Sequence, residues 1–478
     1  MVSWLGWLLA LYVVQFAAIL LLEHRRQGYM TAWLFITFVC PFIGFAAYFL
    51  VGRRKRQSIL ESRTGEAAME ERIAAAAAKA EIVETSGWGD QSDLGRESRL
   101  QQALAMLSPF PVTGRNRTKV LRNGDQTFDA MMDAMRSARH HIHMDYYTIR
   151  HVGVGKLFLD LLAEKARKGI EVRLLYDGIG SLNLDEGVIR ALREAGAETC
   201  CFAPPKAAFL ERRLNYRNHR KIAVIDGRVG FLGGINIGDE YLGMDEKIGY
   251  WRDTHLSVHG DAVYYLQALF MQDWQRASGK HLPLSDVYMP KHGIQEKERV
   301  MIVPGKPGVN DREIVEVMFA AMAAARTRIY AATPYFIPDP AIAMSLRVAA
   351  RSGVDVKLII PGIPDTDLVL LATLSYVQDM LEAGVRVYRY WKGFIHAKVL
   401  IVDDMLASVG TANLDMRSLY SNYESIALVF DEKPIRSLER DFEEDLKACE
   451  ELELERFARR PRKQKAAEAV MHMLSPLL

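Results

Sequence analysis

Cysteine is scarce in this chain, with four in 478 residues, at Cys40, Cys200, Cys201 and Cys449. None stands at metal-ligand spacing, and the adjacent pair Cys200–Cys201 suits neither a zinc knuckle nor an easy disulfide. The thiols are expected to be small buried hydrophobes in a reducing compartment. An excess of one charge is also missing: 61 Lys and Arg stand against 59 Asp and Glu, a formal net charge of +2. Such a balance carries no global signature of a nucleic-acid binder, and no nucleic-acid partner is expected. Polar low-complexity composition is absent as well. Half the residues are hydrophobic, which excludes wholesale disorder and leaves room for two to four ordinary domains or one large bilobal unit.

Charge disappears altogether from two stretches near the start, residues 4–22 and 30–51. Each is about the length that spans a hydrocarbon core of ~30 Å. The first has no basic segment before it and exceeds the ~7–15 apolar residues of a typical leader, so a retained membrane segment is the expectation. Residues 1–56 thus read as a hydrophobic helical hairpin in a membrane. Pro41 and Gly44 allow the second run to bend or re-enter instead of crossing. Arg53-Arg54-Lys55-Arg56 places the bulk of the chain on the cytoplasmic side, although Arg25 and Arg26 between the runs oppose two full crossings. Residues 57–110 are polar and rich in Ala and Glu, and read as a helical connector.

Beyond the connector the chain repeats itself. Phe128 to Asp145 reads as a helix and then a strand ending in Tyr146-Tyr147, and Ile314 to Thr333 repeats it before Pro334-Tyr335-Phe336. Lys168 to Asp177 and Arg351 to Pro361 each pair a glycine that closes a helix with an apolar strand. Alternating helices and strands predict an α/β fold of two similar lobes, residues 111–290 and 291–478, forming one bilobal unit with a site between them.

Each lobe carries one short pattern at the same place. His219, Lys221, Asp226 and Asn236 recur at identical offsets as His396, Lys398, Asp403 and Asn413. On a strand, residues two apart share a face, so each histidine and lysine point together while each aspartate points away, as expected of a residue that anchors its lobe. Two imidazoles, two ammonium groups and two amides around one small anion suit a phosphodiester. One histidine attacks phosphorus, the other protonates the leaving alkoxide, and lysines and asparagines stabilise the equatorial oxygens. Neither a metal nor a cofactor is required by that chemistry.

This duplicated HxKxxxxD pattern resembles the phospholipase D superfamily, from Thr113 to the end of the chain. Its surroundings are similar to bacterial cardiolipin synthases in particular: Tyr146-Tyr147, Tyr176 to Ser181, Gly233 to Leu242, Trp251 to His255, Thr333 to Asp339 and Gly410 to Ser418. The resemblance implies that both motifs are catalytic, that Asn236, Asn413 and Thr411 bind substrate, and that Asp253 and Glu424 orient the histidines through their far ring nitrogens. It also implies His219 as nucleophile, phosphatidylglycerol and cardiolipin as lipid partners, and a place at the bacterial cell membrane; a homo-oligomer is compatible with it. Gly234 stands where the second lobe has Thr411, so unequal halves are expected. Phospholipid hydrolysis and nucleic-acid phosphodiester cleavage share the same His and Lys chemistry, and the hydrophobic hairpin and neutral total charge weigh against the latter.

Three further groups stand out. His140, His141 and His143 lack the carboxylate and cysteine context of a metal site and read as structural. Arg212, Arg213 and Arg217 read as a solvated face with headgroup contact as the alternative. The segment Ala466 to Leu478 is expected to pack against a lobe.

Overall fold

The computed structural model describes the chain except for residues 1, 25–26, 53–58, 84–96, 211–214, 247, 309–311 and 478. Arg25, Arg26, Arg53 to Arg56, Arg212 and Arg213 therefore lie outside the described residues.

A strand order and its mirror image make up one continuous sheet. In the first half the order runs Glu198–Phe202, Glu171–Asp177, His141–Tyr146, Lys221–Ile225, Val229–Gly233, Thr254–Gly260, Thr113–Arg122. In the second it runs Arg386–Tyr390, Asp355–Pro361, Arg328–Ala332, Val399–Val402, Leu406–Gly410, Asn422–Val429, Glu298–Gly305, with Cys449–Glu451 added at the outer edge. The halves join where Thr113–Arg122 runs antiparallel to Glu298–Gly305, with Thr113 opposite Val300. Three strands on the outer side of each half are parallel and linked by helices, as parallel pairing demands. Cys449–Glu451 adds an antiparallel edge to the second half, and the inner strands include antiparallel hairpins. Helices cover the sheet, so His141–Tyr146 and Asn422–Val429 are buried at every position.

Each lobe has its own core, but a third apolar cluster belongs to both, running from Leu175 and Ile222 through Trp274 to Ile401 and Tyr423. The helix Ala262–Ser278, buried continuously from Ala262 to Trp274, is the spine of that shared core. The connector is docked, not free: buried Arg72 of helix Ile59–Ala77 donates to Gln275 at 2.6 Å.

At the N-terminus, helix Val2–Glu23 contains an 18-residue window, Gly6–Glu23, apolar and long enough to cross a membrane. Trp4, Trp7, Leu9 and Leu21 are exposed along it. The second run is not one helix. Helix Gln27–Val39 spans 13 residues, about 20 Å at ~1.5 Å per residue, short of a ~30 Å core. It breaks at Cys40 to Phe42 and resumes as Ile43–Ala47 and Tyr48–Gly52. The cause is Pro41, which cannot donate within a helix. Buried Gln15 on the first helix supplies an acceptor for Phe42 N at 3.4 Å, so the break does not leave that amide bare. Cys40 is exposed at this bend, against the expectation of a buried thiol, while the other three cysteines are half-buried. The C-terminal helix Arg462–Leu474 packs on helix Asp367–Glu382, and the turn Ser475–Leu477 also reaches the N-terminal helices, with Leu477 against the Tyr29, Trp33 and Tyr48 cluster.

Candidate active site

Two short strand pairings across the lobe boundary build the site. Arg217–Asn218 of the first lobe pairs in parallel with Asn422–Tyr423 of the second. Gly393–Ile395 of the second lobe pairs in parallel with Tyr250–Arg252 of the first. Each pairing delivers a motif histidine and an acid side by side at its next residue. His219 N donates to Tyr423 O at 2.9 Å, and His219 Nδ1 lies 2.9 Å from the Glu424 carboxylate. His396 N donates to Arg252 O at 2.7 Å, and His396 Nδ1 lies 2.7 Å from Asp253 Oδ2. The orienting acids are thus exchanged: the acid that follows the first motif holds the second histidine, and the reverse. With Nδ1 so occupied, Nε2 of each ring is the nitrogen left for chemistry.

The histidines, expected on strands, lie between them, His219 after Arg217–Asn218 and His396 after Gly393–Ile395, and each lysine curls back onto its histidine. Lys221 Nζ donates to His219 O at 2.9 Å and Lys398 Nζ to His396 O at 2.6 Å. All four groups are buried or nearly so, and each histidine feels the charge of the opposite lobe's lysine. Burial pushes His219 down to about 4 against the pull of Glu424, and His396 down to about 3 with help from Lys398. It likewise lowers Lys221 to about 8 and Lys398 to about 7, Glu424 and Asp253 respectively resisting. Burial works against the Asp253 carboxylate, yet His396 and Lys398 hold it below the usual range. Aromatic rings wall the centre: Tyr147 lies edge-on to His219 at 4.9 Å and Trp251 lies 5.0 Å from His396.

Asp226 and Asp403, expected to anchor their lobes, stand apart from this cluster. Both occupy left-handed turns, at φ 54° and 51°. The Asp226 carboxylate accepts the backbone N–H groups of Arg139, His140 and His141, and Asp403 those of Arg326, Thr327 and Arg328. Each ties the turn after its motif strand to the start of the neighbouring strand.

The asparagines are partly engaged. Asn236 Nδ2 donates to Tyr241 Oη at 3.1 Å and its Oδ1 accepts from Thr148 N, while Asn413 Nδ2 donates to Asp415 at 2.9 Å. Each NH2 group retains a second hydrogen for a ligand. Thr411, expected among the substrate-binding residues, has a buried hydroxyl that accepts from Ser425 N at 2.9 Å and donates to Ser425 O at 3.2 Å. The glycine at the equivalent place has a steric reason. A Cβ on Gly234 would sit 2.1 Å from Asp253 Oδ1. The shorter acid, Asp253, lies back over a glycine; the longer, Glu424, accompanies a threonine.

Sequence reasoning passed over the residues that flank the first histidine. Asn218 Nδ2 donates to both oxygens of Asp145, at 2.8 and 3.0 Å. Arg220 reaches Glu424 O at 2.9 Å, Gly305 O at 2.9 Å and Asp273 at 2.5 Å. Burial, then Asp273, raises Asp145 well above the carboxylate range, with Asn218 and Arg220 pulling it back. The second histidine is flanked instead by buried Ile395 and Ala397. The signal was present in the contrast between Asn-His-Arg and Ile-His-Ala. Arg217, read as a solvated group, is fully buried beside Asp177 at 3.6 Å. His141 and His143 lie in a buried aromatic cluster, His143 stacked on Phe270 and His141 edge-on to Tyr288.

A family profile described as "Cardiolipin synthase, PLD-like domain" matches residues 131–274 and 318–446. The chain belongs to the cardiolipin synthase family. A "Cardiolipin synthase" of Geobacillus sp. (strain WCH70) is 40% identical over 477 residues, 98% of this chain and 93% of that protein. "Cardiolipin synthase 2" of Bacillus anthracis is 40% identical over 467 residues, 96% and 89% of the two chains. In fold, the chain is similar to the crystal structure of a phosphatidylserine synthase of Haemophilus influenzae, with a TM-score of 0.60 at 14% identity, covering 79% of this chain and all of that one. Membership makes the chain a phosphatidyltransferase with duplicated phospholipase D-type lobes, and the exposed apolar helix Val2–Glu23 fits a membrane-associated enzyme.

Proposed function

We propose that this cardiolipin synthase family member transfers a phosphatidyl group between two phosphatidylglycerol molecules, with His219 as nucleophile. The observation that carries the reading is the exchanged pair of histidine–carboxylate contacts, at 2.9 and 2.7 Å, with Lys221 and Lys398 beside them. Nε2 of His219 attacks phosphorus of the first lipid, and the bond to glycerol oxygen breaks as His396 gives that oxygen its proton. The resulting phosphatidyl-histidine is attacked by a hydroxyl of a second phosphatidylglycerol, whose proton returns to His396. Cardiolipin leaves and His219 is restored. Glu424 and Asp253 keep each Nδ1 protonated and each Nε2 aimed at phosphorus, and the lysines balance charge on the equatorial oxygens without reorganising.

The polar network of Asn218, Asp145, Arg220 and Asp273 around His219, against the apolar neighbours of His396, supports unequal roles for the two histidines. The basic run Arg53-Arg54-Lys55-Arg56 supports lobes on the cytoplasmic side. Mass spectrometry of the lipids formed from phosphatidylglycerol tests the reading. Cardiolipin and glycerol in near-equal amounts are expected; phosphatidic acid as the main product at every lipid density would make water the acceptor.

A further inference from the structure

A second cluster of cations lies apart from the histidine centre, in a cavity of about 550 Å³ between the lobes. That volume is within the ~300–1,000 Å³ of small-ligand sites. Arg117 and Lys119 come from strand Thr113–Arg122, His259 from strand Thr254–Gly260, and Lys433 and Arg440 from helix Glu432–Leu446 of the other lobe. The hydroxyls of Ser257 and Ser437 also line it, and no carboxylate does. Arg117 reaches outward to Glu296 at 3.4 Å and Lys433 is 3.9 Å from Glu298. Glu298 is already committed to Thr118, accepting from its N and Oγ1 at 2.6 Å. Among the described residues, neither Lys119 nor Arg440 forms an ion pair, although Arg440 acts on the adjacent Asp441 and its Nε donates to Arg436 O at 3.3 Å.

Four cations from two lobes line the cavity, two of them beside a carboxylate that lies outside it, and in a chain of net charge +2 nothing global accounts for the concentration. Lys433 sits in the first turn of helix Glu432–Leu446, at the positive end of its dipole, where Glu432 is taken up by Arg436 at 2.5 Å and Asp431 by Arg299 at 3.2 Å. Ammonium, guanidinium and hydroxyl donors on one cavity, with no acceptor charge among them, match an anion with several oxygens. We infer that this cleft is a second anion site, separate from the catalytic histidines, for a ligand bearing more than one phosphate charge. Both a lipid headgroup and a soluble phosphate offer that chemistry.

Labelling of lysines by an amine-reactive reagent, read by peptide mass spectrometry on the full chain in neutral detergent, tests the site. Two probes are compared, inorganic pyrophosphate and micelles doped with cardiolipin. Lys119 and Lys433 should label about fivefold or more slowly with the effective probe, while exposed Lys168 is unchanged. Protection by pyrophosphate alone supports a soluble phosphate ligand, and protection by doped micelles alone supports a lipid headgroup. Arg440→Gln should abolish the protection of Lys119 while leaving cardiolipin formation within about twofold; Lys119→Ala should do the same for Lys433. No protection by either probe, or protection undiminished in both variants, would overturn the site.

Discussion

Glu424 holds Nδ1 of His219 at 2.9 Å from the other side of the lobe boundary. Asp253 does the same for His396, so neither lobe contains a complete histidine–carboxylate pair. The register explains it. Tyr423 sits opposite Asn218 and Ile395 opposite Arg252, and in each case the next residue pair is the histidine and the foreign acid.

This exchange predicts which step each acid serves. Glu424→Gln should prevent attack by His219, and Asp253→Asn should impair proton transfer at His396, each costing about 10²–10⁴ in turnover. With a phosphodiester whose leaving group departs unaided, Asp253→Asn should keep its burst and Glu424→Gln should lose it. Burst amplitudes in rapid quench check the assignment, and the opposite pattern would reverse it.

Gly234 should be intolerant of the smallest side chain. Its added Cβ would meet Asp253 Oδ1 at 2.1 Å, so Gly234→Ala must displace the carboxylate that orients His396. A displacement of ~1 Å at a reacting group can cost about 10²-fold. The loss should appear in turnover, with near-UV circular dichroism unchanged. Full activity in this variant would refute the steric account.

The histidines expected on strands sit in the gaps between them, whereas the duplicated helix and strand pattern made the two lobes legible in the sequence. Strand pairing between lobes was not, because Arg217–Asn218 and Gly393–Ile395 are too short to carry a periodicity of their own. The exchange of acids depends on that pairing and was hidden with it. Arg217 misled for a related reason: a guanidinium in sequence does not show the carboxylate that lies beside it once folded. Pro41 did show its bend, since the missing donor is a property of the residue itself.

The basic limb of the pH profile belongs to a buried proton. His219 at about 4 is neutral and ready to attack throughout the working range. Lys398, lowered to about 7, and Lys221, lowered to about 8, are the cations that rising pH neutralises in the free enzyme. Values of kcat/KM should therefore fall above about pH 7, whereas kcat should hold to higher pH, because a bound phosphate anion favours the protonated form. Steady-state kinetics on mixed micelles across pH 5–10 would separate the two limbs. A kcat/KM flat to pH 10 would contradict the low lysine values.

Removal of residues 1–56 should release the chain from membranes and leave both lobes folded. Tyr29, Trp33 and Tyr48 form a cluster separate from the lobe cores, touched from the lobe side by Leu477. Flotation with vesicles and a cooperative thermal melt check the two halves of this expectation. A truncated chain without a melt would show that the apolar segments complete the core.

Mapping the covalent intermediate tests the central claim most directly. His396→Asn should be quenched with phosphatidylglycerol or a better-leaving analogue, digested and sequenced by mass spectrometry at neutral to alkaline pH, where phosphohistidine survives. The account predicts a phosphatidyl group on the peptide containing His219 and none in His219→Ala. A label on His396 in His219→Ala, with His219 never labelled in any variant, would contradict it.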